Sequence, residues 1–132
     1  MTRTFDDRYR VGETLAMAIN TKDYEGLRAL LHDDCEWIVP GSEKNPLSGN
    51  RKGADVMIER WQGLDKAKLV LFVQHVCVNF QGDIALIFHN WGIRGEKRMN
   101  EHLCTLVTTD KNGLVTRVES YLSDIDGLFN FA

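Results

Sequence analysis

From Lys66 to Leu122 the apolar residues recur with a period of two, and three turn signals cut this stretch into four runs. The turns are Gln81-Gly82-Asp83, Arg94-Gly95-Glu96-Lys97 and Asp110-Lys111-Asn112-Gly113. Asn-Gly favours a hairpin because both residues tolerate the positive φ that a tight turn requires. The pattern predicts strands over 68–80, 84–93, 98–109 and 114–122, joined as an antiparallel meander. Such a sheet has an apolar face that something else in the chain must cover.

The preceding residues supply the cover. Val11, Leu15, Ala18 and Ile19 share one helical face, so a first helix is expected to end near Asn20, capped by Asp6 or Asp7. Asp23 is placed to cap a second helix, over 24–31, that ends at His32-Asp33-Asp34. Glu36 to Val39 reads as a short strand stopped by Pro40-Gly41, and 41–53 as a loop rich in turn formers. A third helix is expected over 54–62, with Met57 and Trp61 stacked one turn apart and Gly63 as its stop. Asp124 is placed to cap a last helical turn through Leu128. The expected fold is α+β: three N-terminal helices packed on a strongly curved antiparallel sheet, forming a cone-like barrel with a mouth.

A chain of 132 residues with 43% apolar residues can bury one core, so residues 1–132 are read as a single domain. The net charge of −3, with lysines and arginines dispersed, argues against a nucleic-acid partner, which needs a basic face. No apolar run approaches the ~20 residues of a membrane helix. Cys35, Cys77 and Cys104 are odd in number and lack Cys-x-x-Cys spacing, which points to reduced thiols and a cytoplasmic protein. Cys35 follows two acids, which disfavour a thiolate, so it is not read as a nucleophile.

Several short motifs recur in a suggestive order. They are Asp23 with Glu25, Asp33-Asp34, Pro40-Gly41, Gly49 and Gly53, then Asn112-Gly113-Leu114-Val115 followed by Tyr121 and Asp124. Their order and spacing resemble the nuclear transport factor 2-like superfamily, which includes ketosteroid isomerases and SnoaL-like polyketide cyclases. The resemblance spans nearly the whole chain and implies a pocket between helices and sheet. In the isomerases it implies a carboxylate base, a Tyr and a protonated Asp that hold a developing oxyanion. The matching positions here are Val39, Leu15 and Thr105, none of which can move a proton. The Arg and Asp set of limonene epoxide hydrolases falls on Phe88, Asn90 and Ser120, and is also lost. A SnoaL-like protein without the isomerase mechanism is the expectation.

By strand alternation and this alignment, the concave face carries Leu86, Phe88 and Asn90, then Glu101, Leu103, Thr105 and Val107, then Val118, Ser120 and Leu122. Trp37 and Val39 share parity on the short strand, and Met57 with Trp61 can close one wall. Ligand-binding candidates are therefore Trp37, Val39, Met57, Trp61, Phe88, Leu103, Thr105, Val118 and Ser120, around a small hydrophobic molecule. Many of these are core residues in any such fold, with or without a ligand. Glu101 and Asn90 are the catalytic candidates. A carboxylate on an apolar face favours its neutral form and can serve as acid or base, unless it is solvated or paired with Arg98.

On the opposite face His75, Cys77, His89, His102 and Cys104 share parity, and the three histidines are expected in one cross-strand row. Such a row suits either a metal ion or a dimer interface. The expectation adopted is a homodimer through this convex face, with no metal and no cofactor. Three functions remain open: an isomerase- or cyclase-type enzyme acting beside a carbonyl, a non-catalytic binder of a small apolar ligand, and an interaction domain with a filled core.

Overall fold

The computed structural model describes residues 5–41 and 48–123. The elements run α1 (Phe5–Asn20), α2 (Tyr24–Ala29), β1 (Leu31–Val39), β2 (Gly49–Lys52), α3 (Ala54–Lys66), β3 (Leu69–Val78), β4 (Ile84–Arg94), β5 (Lys97–Thr109) and β6 (Val115–Leu122). The turn expected after Asp124 lies outside the described residues.

The six strands form one sheet in the order β2-β1-β6-β5-β4-β3. The meander β3 to β6 is antiparallel as expected, with turns where the sequence places them. Three features correct the expected architecture. β1 runs parallel to β6, so the sheet is mixed rather than antiparallel. Its ends, β2 and β3, are not paired to one another, so the sheet does not close into a barrel. Only α1 and α2 precede the strands, because α3 follows β1 and β2.

Local chemistry accounts for the shifted boundaries. α1 begins at Phe5, which puts Asp7 in its first turn rather than at its cap. Asp23 does cap α2: its Oδ1 accepts from the Gly26 N–H at 2.9 Å. His32, Asp33 and Asp34 belong to β1 rather than to a helix end. Leu31 and Cys35 are both buried there, and a bulge against β6 falls between Leu31 and Glu36. The Arg28 guanidinium holds Asp33 at 2.8 Å and Asp55 at 2.9 Å, tying β1 to α3. Residues 49–52, expected as loop, form the edge strand β2 against Glu36 to Val39. α3 passes through Gly63, whose side is open, and ends one turn later because Leu64 is buried against Leu69 and Met99.

One face of the sheet meets the helices. Leu15, Leu27, Met57, Ile84, Leu86 and Val115 are each at most 2% exposed, and they form the centre of the core. α1 lies so close to β3 that a Cβ on Gly12 would sit 2.5 Å from Val76. At the end of α1, the Asn20 carboxamide accepts from the Val73 N–H at 2.7 Å and donates to the Val73 carbonyl at 3.1 Å. It thereby covers part of the unpaired edge of β3.

A bulge in β3 between Val73 and His75 alters the other face. Phe72 now stands opposite His89, and His75 opposite Ile87. The expected row of three histidines is therefore broken. His89 and His102 alone pair across β4 and β5, with rings stacked at 4.6 Å. His89 Nε2 lies 2.6 Å from Asn100 Oδ1.

Candidate functional site

The alternation of β4, β5 and β6 points Phe88, Asn90, Leu103, Thr105, Val118, Ser120 and Leu122 toward the helices. There they meet Trp37 and Val39 of β1 and Trp61 of α3 around a cavity of about 60 Å³. Trp37 and Trp61 stack along one side, with centroids 6.2 Å apart and planes 25° apart. Leu64 and Leu71 complete the wall. Sequence reasoning missed both. Leu64 lies one turn beyond Trp61, on a helix expected to stop at Gly63. Leu71 alternates with the buried Leu69 and Val73, which was a readable signal.

Polar groups gather on three neighbouring strands. Asn90 is 2% exposed, and its Oδ1 has no hydrogen-bond partner among the described residues. Thr105 is 4% exposed and stands opposite Ser120, with the two hydroxyl oxygens 3.2 Å apart. Either hydroxyl can donate to the other, leaving the pair able to donate or accept toward a ligand. The rest of the wall is apolar.

The remaining candidates fall just outside this wall. Glu101 is buried directly opposite Asn90 on β5, and its Oε2 accepts from the Ser123 hydroxyl at 3.4 Å. Met57 is 1% exposed within the core and does not reach the cavity. Of the three positions matched to isomerase catalytic residues, Val39 and Thr105 line the cavity, while Leu15 is buried away from it. No carboxylate, imidazole, amine or thiol lines the cavity among the described residues. The wall can therefore solvate and orient a polar group, but proton transfer would need Glu101 to reach past Asn90.

Cys35 and Cys104 are poor nucleophiles for a physical reason. Burial pushes the Cys35 thiol up to about 12, with the nearby Glu36 adding to the effect. Burial also raises the Cys104 thiol, with a smaller push from Cys77. Among the described residues no group of three or more histidine, cysteine or acidic side chains converges as a metal site. No described helix is long and apolar enough to cross a membrane.

A six-stranded mixed sheet with helices over a largely apolar cavity defines an α+β fold. Residues 11–118 match the family model of the SnoaL-like domain, so the chain belongs to the SnoaL-like family. No curated protein matches it in sequence. Among solved structures it is similar to Bal32a, from a soil-derived mobile gene cassette, at 21% identity and a TM-score of 0.82, covering 97% of this chain and 98% of that one. An NTF2-like protein from Burkholderia xenovorans is 20% identical with a TM-score of 0.72, over 98% of this chain and 95% of that one. TerC, co-crystallised with polyporic acid, is 16% identical with a TM-score of 0.72, over 89% and 92%. At these identities the structures establish a shared fold, the nuclear transport factor 2-like fold, and nothing finer.

Proposed function

We propose that the inner-face cavity binds a small apolar molecule carrying one hydrogen-bonding group. The observation that carries this reading is Asn90, a buried carboxamide on the cavity wall whose oxygen lacks a partner among the described residues. Leaving a buried acceptor unmet costs ~1–3 kcal/mol, which a ligand hydroxyl would relieve. Thr105 and Ser120 offer a second polar contact, and the indoles and leucines select an apolar body. The co-crystallisation of TerC with polyporic acid supports a small-molecule role for this fold. The test is a titration with p-cresol and with toluene, followed by the fluorescence of Trp37 and Trp61. The hydroxyl should make p-cresol bind about tenfold tighter. Equal affinity, or no binding of either, contradicts the reading.

A catalytic reading attaches to the same site: isomerase- or cyclase-type proton transfer beside a carbonyl, with Glu101 as acid or base and Asn90 as donor to the carbonyl oxygen. Its support is the burial of Glu101 directly opposite Asn90. Undiminished turnover of a found substrate by Glu101→Gln would remove it.

The outer face supports a second proposal, a homodimer through the sheet. Phe72, Trp91, Ile93, Leu106 and Tyr121 are 38–61% exposed there. Exposed apolar side chains gathered on one face mark an interaction surface. Arg117 and Glu119 bring both charge signs to the same face, so it can meet a copy of itself without uniform repulsion. The proposed setting is the cytoplasm, where the three free thiols stay reduced. The reading calls on no nucleic acid, membrane, metal or cofactor.

A further inference from the structure

We infer that Trp61 is the movable wall of the cavity, a positioning residue that must swing off Trp37 for a ligand to enter; this rests on the small-molecule reading above. The starting point is size. The cavity of about 60 Å³ is well below the ~150 Å³ that accepts a benzene ring, so some part of its wall yields on binding.

Most of that wall has nowhere to go. Phe88 and Val118 are set on central strands with the core behind them. Trp61 differs. A second void of about 20 Å³ lies between α1, α2, α3 and β3, and Trp61 and Leu71 border both voids. Protein interiors are close-packed, and a side chain with space on both sides forfeits dispersion contacts on each. Displacing it therefore sacrifices less than displacing a fully packed neighbour. Leu71 is carried by a strand of the sheet, whereas Trp61 sits half-buried on α3, where a change of rotamer can move the ring.

What lies behind Trp61 also yields readily. The second void is bordered near the surface by Tyr24 and by the Lys22–Asp65 ion pair. Both ion-pair side chains are well exposed, and such pairs hold their partners weakly. Trp61 can thus retreat toward flexible groups while the polar corner at Asn90, Thr105 and Ser120 stays fixed. The size of ligand admitted is then set by how far Trp61 moves.

The experiment uses the full chain and p-cresol as probe. Stacked indoles give an exciton couplet in circular dichroism, and Trp37→Phe identifies which signal belongs to this pair. Binding of p-cresol should abolish the couplet. In Trp61→Ala no closed state has to be opened, so p-cresol should bind about tenfold tighter, as expected when a binding-competent state is otherwise a minor one. Trp61→Phe, a smaller change to the fold, should give a partial gain. If p-cresol binds with the couplet intact, or binds no tighter to either Trp61 variant, the movable wall is overturned while the binding site stands. If p-cresol binds none of these proteins, the site and the wall fall together.

Discussion

The two faces of β4, β5 and β6 are built from alternate residues of the same strands, yet they have opposite fates. Leu86, Phe88, Val107 and Val118 on the inner face are at most 4% exposed. Trp91, Leu106 and Tyr121 on the outer face are 38–54% exposed. Both faces are rich in apolar groups, so hydrophobicity does not distinguish them. Cover does: α1 and α3 lie on the inner face, and nothing in the described chain lies on the outer one. The inner face closes around a cavity with a polar corner, while the outer face is left with surface suited to a partner. Function is therefore expected to divide the same way, with the ligand inside and self-association outside.

This contrast can be broken most sharply by truncation. Phe88→Ala should cost ~3–5 kcal/mol of stability in denaturant unfolding, because it empties a packed site. Phe72→Ala, 41% exposed on the outer face, should cost less than ~1 kcal/mol in the monomer. Similar losses would mean that the two faces are not energetically distinct.

The cysteines sharpen the same contrast through pH. Cys35 faces inward, and burial holds its thiol up at about 12 against an ordinary value of 9.0. A folded-state value raised in this way stabilises the fold below pH 9.0, and that stability is lost as pH rises toward about 12. The loss should be on the order of 4 kcal/mol at the upper end, and Cys35→Ala should abolish it. Cys77 is exposed on the outer face, so iodoacetamide should modify it first in the native protein and leave Cys35 untouched. Prompt native-state modification of Cys35 would contradict its burial.

The smallest expected effect concerns the outer face alone. Leu106→Lys should weaken self-association at least tenfold by analytical ultracentrifugation, roughly 1.4 kcal/mol, without lowering monomer stability appreciably. A protein that is monomeric before the substitution would remove the outer-face proposal and leave the cavity untouched.

Much of the inner face was legible from alternation, because Phe88, Asn90, Thr105 and Ser120 lie on regular antiparallel strands whose turns are plainly encoded. The Asp23 cap was legible for the same local reason. What escaped detection was non-local or lacked contrast. β2 is four residues, Gly49-Asn50-Arg51-Lys52, with no apolar periodicity, and it exists because β1 offers an edge to pair with. The parallel contact of β1 with β6 joins residues some eighty positions apart, and no local signal announces it. The β3 bulge was hidden because Val70, Leu71, Phe72 and Val73 are apolar on both faces, so a one-residue shift leaves no polar mark. Met57 was drawn into the site by its spacing from Trp61, although the core takes it first.

The central claim is that a polar corner on an otherwise apolar inner face selects the ligand, and Asn90 is its decisive residue. The most direct measurement is the affinity of p-cresol and toluene for the unmodified protein and for Asn90→Leu. The account predicts that p-cresol's roughly tenfold advantage shrinks to within about twofold in Asn90→Leu, while toluene binds at least as well as before. An advantage for p-cresol that survives the loss of Asn90 undiminished would contradict it.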